Sequence, residues 1–416
     1  MTPALKRTAL ENSAKRMRNW VIDKALPLWA ERAQHKSGRW VEHLHLDGTP
    51  DLSAELRWRV LARQIYVYAE ATRWNWYDGT QIARQTYEHM RKTGYVQRVK
   101  ADGTVTERRR DLYDHAFFLL ASTSLYRLTK DPKYLTAIDE ICVTLDTEFT
   151  HPAGGWKETP RGALPRRQNP HMHLLEAFLY LYNETRDPKH LDYADHIIGL
   201  FKNHFFDPKN HVVREFFNED WRYVAGEKGT TAEPGHAMEW IWLLCRYEFS
   251  SGRKTQYWRE ALYARALKER GYFLNDEEDV SGDIRRETRR LWVQTEVIKA
   301  HLTMAENGTD GSADMAAAFI DGLFETYLKA DGTWCDQTNA CGGEIAKTIP
   351  VSTFYHIACM AFEAERVSEL GRLKANLSRR TISCSACRLG HNIDFHELNI
   401  HGFLLSRFAW PYPYII

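Results

Sequence analysis

Along most of the chain, apolar residues return every three or four positions. The segments "YLTAIDEICVTLDTEF" (134–149), "HLDYADHIIGLFKNHFF" (190–206) and "ADMAAAFIDGLFETYL" (313–328) show it well. That period puts the apolar side chains on one stripe of an α-helix. Alternation of apolar and polar residues, the mark of a half-buried strand, is scarce. "HVVREFF" (211–217) is the best instance and reads as part of a short hairpin. From about Ser378 the texture changes, to "SRRTISCSACRLGHNIDFHELNIHGFLLSRFAWPYPYII". The pattern therefore predicts one helical domain over residues 1–416 with an atypical tail from about 378.

The helices repeat. "LYRLTKDPKYL" (125–135) returns as "LYNETRDPKHL" (181–191). In each copy a helix ends in a Thr–basic–Asp–Pro turn, and the proline stands where it can open the next helix. Two helices per unit of roughly 60 residues is the signature of stacked helical hairpins, and six such units fill the chain. The expected fold is all-α, an (α/α)6 barrel: a ring of six hairpins with short β-hairpin loops, whose inner helices begin around a central funnel.

Polar residues then appear in register at the starts of the inner helices. They are Arg63 in "LARQIYVYAEA", Tyr113 and Asp114 in "DLYDHAFFLLA", and His173 in "NPHMHLLEA". They continue with His236 in "EPGHAMEWIWLL", Gln294 and Glu296 in "LWVQTEVIKA", and His356 in "PVSTFYHIACMAF". A polar group in an apolar helix start needs a partner or a ligand, and six in register point to a shared site. Histidine and glutamate also stand one turn apart twice, as His173–Glu176 and His236–Glu239. A carboxylate there can accept the imidazole N–H and fix its tautomer. His171, two residues before His173, should face elsewhere.

Composition narrows the chemistry. Lys plus Arg is 56 against 55 Asp plus Glu, so no overall field favours nucleic acid or anionic lipid. No run approaches a membrane span, and the N-terminus lacks the apolar core of a signal peptide. Seven scattered cysteines suit reduced thiols in a cytoplasmic protein. The motifs of nucleotide loops and of serine hydrolases are missing. No metal is expected, because Arg63, Tyr113 and Gln294 suit a polar organic ligand better, and no cofactor either. Cys384-x-x-Cys387 with His391, His396 and His401 matches no familiar zinc spacing. "GEKGTT" (226–231) reads as a lid segment rather than a phosphate loop. "RGALPRR" (161–167) and "IRRETRR" (284–290) are candidates for phosphate recognition near the funnel.

Two imidazoles that titrate near neutrality can move a proton on and off a carbon next to a carbonyl. Donors such as a guanidinium stabilise the oxygen charge that develops. Trp74, Trp76, Trp240 and Trp292 offer faces for a sugar. The class implied is 1,2-proton transfer on an open-chain sugar. Glycoside hydrolysis needs two opposed carboxylates, whereas this set is richer in histidine. A non-catalytic scaffold would lack the convergence.

The segments "RRQNPHMHLLEA", "EPGHAMEWIWLL", "RRLWVQTEVIKA" and "IPVSTFYHI" resemble landmarks of the N-acylglucosamine 2-epimerase superfamily, from about Arg39 to Arg366. That superfamily includes mannose isomerases, cellobiose 2-epimerases and sulfoquinovose isomerases. The resemblance implies an (α/α)6 barrel and metal-independent chemistry. It makes His236 and His356 the acid/base pair, with Glu239 supporting the first. Arg63, Tyr113 and His173, with Glu176 beside it, would bind sugar or assist ring opening, and Trp292, Gln294 and Glu296 would line the pocket. The first two segments are most similar to the mannose isomerase branch, which turns an aldose into a ketose. Return of the proton to C2 from the opposite face would instead make an N-acylglucosamine-type 2-epimerase. The open face of such a ring could also pair two copies as a homodimer.

Overall fold

A computed structural model of the chain describes residues 3–34, 38–100, 102–267 and 273–384. The helices in chain order are α1 (Pro3–Trp20), α2 (Leu26–Arg32), α3 (Trp58–Arg73), α4 (Thr80–Thr93), α5 (Leu112–Thr129), α6 (Lys133–Thr144) and α7 (Gln168–Thr185). They continue with α8 (Pro188–Leu200), α9 (Pro234–Ser251), α10 (Gln256–Leu267), α11 (Leu291–Glu306), α12 (Ser312–Thr326) and α13 (Thr353–Cys384). Helices α3, α5, α7, α9, α11 and α13 each pack on the next, and α13 packs back on α3, closing an inner ring. Outside it α4, α6, α8, α10 and α12 each cover the helix before them, and α1 covers α13. This is the expected (α/α)6 barrel. The inner helices are buried almost all round, as in α3, where every residue from Trp58 to Ala71 except Arg59 is buried. A helix covered on all sides is apolar or internally paired all round.

The repeated turn behaves alike in both copies. Lys130 and Arg186 take the left-handed conformation that ends α5 and α7 (φ 56° and 58°). Asp131 then accepts from the Lys133 amide and Asp187 from the Lys189 amide, each at 3.0 Å. These side-chain caps satisfy amides that a helix start leaves without partners.

Strands are two or three residues long and gather at the funnel mouth. Leu56–Arg57, Arg166–Arg167, Thr231–Ala232 and Arg289–Arg290 each run into an inner helix. The Val212–Val213 strand pairs with Phe206–Asp207, and Phe216–Phe217 pairs with Arg166–Arg167, so 211–217 does contribute to short ladders. The amides of Arg57, Arg167 and Arg290 donate to Glu42, Glu158 and Asp276 at 2.8, 2.7 and 2.7 Å. The chain's entry into three inner helices is thereby fixed. The change of texture expected at Ser378 does not end the last helix, which runs on to Cys384. Cys387, His391, His396 and His401 lie outside the described residues, as does most of the tail. Among the described residues no helix is long and apolar enough to cross a membrane.

At the closed end of the ring Glu306 of α11 accepts from Arg246 of α9 at 2.6 Å. It also accepts from Arg366 of α13, at 2.8 and 2.5 Å, while Glu363 takes the rest of the Arg366 guanidinium. Removing one member of a buried pair strands the others, at a cost of about 3 kcal/mol. Glu306→Gln should lower the thermal unfolding midpoint accordingly, read by calorimetry. An unchanged midpoint would show that the three helices do not depend on this cluster.

Candidate active site

The funnel holds a cavity of about 400 Å³ whose wall includes Arg63, Tyr113, His173, His236, Glu239, Trp292 and His356. Seven of the ten residues expected at the site therefore face it. Glu176 and Glu296 stand behind the histidines as their hydrogen-bond partners. Gln294 does not reach the cavity: its buried amide bonds to both backbone groups of Leu274, at 3.0 and 2.9 Å. A buried amide satisfied by a loop backbone is a brace and not a binding group.

Each histidine has a carboxylate at Nδ1. His356 meets Glu296 at 2.9 Å, His173 meets Glu176 at 3.2 Å, and His236 meets Glu215 at 3.0 Å. The third pair corrects the expectation that Glu239 would serve His236. Glu215 comes from the loop before α9 and is positioned by Gln168, whose Nε2 donates to its other oxygen at 3.0 Å. Such partners leave Nε2 of each ring as the group directed elsewhere. His236 Nε2 lies 3.1 Å from the Asn169 amide, whose Oδ1 is buried without a partner. Turned over, that amide would present its oxygen to an imidazolium and satisfy the orphaned atom.

Neither oxygen of Glu239 has a hydrogen bond among the described residues, although the His173 ring is 3.8 Å away. Its carboxyl stands within 4.8 Å of ligand atoms of Glu296 and His356, and of His173 and Glu176. Such trios can hold a cation, but the buried Lys299 ammonium already pairs with Glu296 at 2.8 Å. Burial, with Glu296 nearby, pushes the Glu239 carboxyl well above the usual carboxylate range. It is a neutral acid beside the cavity.

The two outer histidines differ in the same way. Burial disfavours the charge on His356 and, with Arg63 near, brings it down to about 4 despite its bond to Glu296. Burial acts on His236 too, but the charges of Glu215 and Glu233 outweigh it and push that ring up to about 9. At neutral pH His356 is an acceptor and His236 a donor. Groups whose environments drive their proton affinities apart are arranged for acid and base work. The Trp292 indole touches both, with ring centroids 5.4 Å from His236 and 5.5 Å from His356. Gly235 makes room for it, because a Cβ there would stand 2.7 Å from the indole.

Arg63 donates to the Tyr113 hydroxyl at 2.7 Å, and Tyr113 packs edge-on against His173. The other tryptophans are core residues. Trp74 stacks on Phe362, Trp76 lies against the same ring, and Trp240 donates to Gln168 from a fully buried position. His171 is buried with both nitrogens on backbone, Nδ1 at Arg167 O and Nε2 at the Trp156 amide. The segment 226–231 is no loose lid, since Arg285 bonds Glu227 O at 2.7 Å and Thr231 Oγ1 at 3.0 Å.

Arg57, Asn169, Glu233, Asp336, Pro350, Ser352 and Thr353, which were not anticipated, complete the wall together with Arg290 from the arginine run at 284–290. A signal existed. Arg57, Glu233 and Arg290 stand six residues before Arg63, Glu239 and Glu296, one common position ahead of the in-register set.

Residues 38–360 match the family profile described as N-acylglucosamine 2-epimerase (GlcNAc 2-epimerase). The chain is 32% identical over 389 residues to a mannose-6-phosphate isomerase of Rhizobium meliloti, covering 85% of this chain and 96% of that one. It is 27% identical over 241 residues to a D-mannose isomerase of Thermobifida fusca, covering 52% and 59%. Among solved structures, a cellobiose 2-epimerase from Spirochaeta thermophila superposes with a TM-score of 0.80 at 22% identity, over 88% of this chain and 99% of that one.

The Glu215 carboxylate raises the proton affinity of His236, so Glu215→Gln should bring the His236 midpoint down from about 9. Nitrogen-15 NMR of the histidines reads this directly. The wild-type ring should add stability below its unfolded midpoint of about 6.5 and lose that contribution as pH rises through about 9. His356 should act oppositely, its contribution present above about 6.5 and lost as pH falls toward about 4. A His236 that titrates near neutrality in the wild type would contradict this.

Proposed function

The chain belongs to the N-acylglucosamine 2-epimerase family and is an enzyme that isomerises or epimerises sugars; we propose that it is an aldose–ketose isomerase of the mannose-to-fructose type. The observation that carries this reading is the pair His236 and His356, both against Trp292, with opposite proton affinities set by their surroundings.

Arg63 and the neutral Glu239 carboxyl donate to hydroxyls of the open-chain sugar. Neutral His356 takes the proton from C2, and Glu296 at its Nδ1 stabilises the imidazolium that forms. The C2–H electron pair becomes the C1–C2 double bond while the carbonyl pair moves to O1, which His236 protonates from Nε2. The product is a cis-enediol. His236, now neutral, removes the O2 proton, and the electrons return through C2 as His356 delivers its proton to C1. The aldose has become a ketose, and both rings regain their starting protonation. Lys299 beside Glu296 offsets the charge of that carboxylate.

The alternative within the family is a 2-epimerase of an N-acylglucosamine, in which His236 would return a proton to C2 from the other face. The cavity wall speaks against an N-acyl substituent. Apart from Tyr113, Trp292 and Pro350 it is built of charged and polar side chains, with little apolar surface for a methyl group.

Proton NMR of the purified chain with mannose in deuterated water, without added metal and with a chelator present, should show fructose. Part of the C2 hydrogen should be carried to C1 and part replaced by deuterium. His356→Ala and His236→Ala should each lower kcat by about a thousandfold with the helical signal intact. Full activity in either variant would sink the two-histidine mechanism. Exchange at C2 of N-acetylglucosamine in place of mannose would turn the assignment to the epimerase.

A further inference from the structure

Next to the histidine cavity lies a second, of about 390 Å³, with six arginines on its wall: Arg57, Arg59, Arg63, Arg98, Arg109 and Arg167. Asp111 is the one carboxylate among its lining residues. Three of the arginines are balanced from behind. Arg57 pairs with Glu42, Arg59 with Asp114 at 2.7 Å, and Arg167 with Glu158. The other three have no ion pair among the described residues. Arg109 donates to the amide oxygen of Gln97 at 2.9 Å and Arg98 is exposed. Arg63 is buried, with its Nε lacking any hydrogen-bond partner. Unbalanced guanidinium groups converging on one hollow make an anion site, because their fork geometry suits the oxygens of a phosphate or carboxylate.

The two cavities share a wall. Arg57, Arg63, Tyr113 and Asn169 line both, and the Asn169 amide that closes on His236 is also part of the basic wall. A linear sugar whose C1 and C2 lie between His236 and His356 has to send its other end along this shared wall or out of the funnel. We propose that the basin holds a phosphate group at the far end of the substrate, so that the enzyme acts on a hexose 6-phosphate. This rests on the isomerase or epimerase reading of the same site. Set against Asp111, the three arginines without an ion pair leave about two positive charges in excess, which fit a phosphate monoester, with between one and a half and two negative charges at about pH 7, better than the single charge of a sugar acid. The connection between α4 and α5, which carries Arg98 in a short antiparallel ladder and Arg109 two residues past its second strand, then has a specificity role.

The test compares mannose 6-phosphate with mannose in the full chain. The expected preference in kcat/KM is about a hundredfold, as two charge-assisted hydrogen bonds provide. In the double variant Arg98→Gln with Arg109→Gln, whose side chains are exposed, that ratio should fall at least tenfold. Inorganic phosphate should compete with mannose 6-phosphate in the wild type and lose potency in the variant. A ratio near one, or a ratio unchanged in the variant, overturns the phosphate site while the isomerase reading stands. If no hexose exchanges its C2 proton, that parent reading fails. Calorimetric titration with mannose 6-phosphate and inorganic phosphate then decides the site alone: binding weakened in the double variant supports it, and no binding overturns it.

Discussion

The cost of burying charge under the funnel governs this site. Glu176, Glu239 and Glu296 lie in the closed interior with Lys299 and two histidines. One ammonium cannot hold three ionised carboxylates away from water, since an unpaired buried charge is far too costly. The proton distribution is forced by that count. Lys299 and His356 keep Glu296 ionised, so its affinity for a proton falls, while Glu239, without hydrogen bonds, keeps its proton. His173 and His356 stay neutral because burial opposes a further positive charge beside Arg63. His236 escapes because Glu215 and Glu233 reach it from loops at the mouth.

The barrel makes this arrangement reproducible. Six inner helices begin at one end, and several are delivered there by short paired strands with a carboxylate on the incoming amide. In four of the units a residue six positions beyond that entry, between one and two turns into the helix, is a polar group of the site. Arg63, His173, Glu239 and Glu296 occupy that position. The ring therefore converts a spacing in the sequence into a circle of side chains, and the entry residues one turn higher form the rim. At the opposite end the Glu306 cluster joins three of the same helices, so the circle is held from both sides.

Much of this could be read from the chain. The helical period, the repeated Thr–basic–Asp–Pro turn and the polar positions at unit spacing led to the barrel and to most of the cavity wall, because each expresses a local rule that the closed ring respects. What escaped were contacts made across loops. Glu215 lies in the segment before α9, outside any helical spacing with His236, and nothing at 211–217 marks it as the partner of that ring; the nearer Glu239 looked the better choice by helical spacing. Gln294 shares the register of the site yet turns to Leu274, and period alone cannot distinguish the inner face from the side of a helix. Three of the four tryptophans fill the core, as large rings in helical proteins do. The arginine rim was missed because its members come from four separate stretches, at 57–63, 98, 109 and 167, whereas the sequence drew attention to runs of arginine. One of those runs supplied Arg167, and its neighbour Arg166 is buried against Trp221.

The protonation states also bear on which of the family's two reactions the proposed mechanism favours. When one ring both removes the C2 proton and returns it to C1, His356 ends neutral and His236 ends charged, as they began. When the second ring delivers the proton to C2 from the other face, His356 ends charged and His236 neutral. With midpoints of about 4 and about 9 that exchanged state is disfavoured by several kcal/mol. Each epimerisation would then have to wait for solvent to reset the pair. The route that closes on itself is isomerisation. An epimerase built on this frame would need two rings of closely matched affinity, which means a weaker field at His236 or a more stabilising one at His356. The carboxylates of Glu215 and Glu233 on one side, and the guanidinium of Arg63 on the other, hold the two apart.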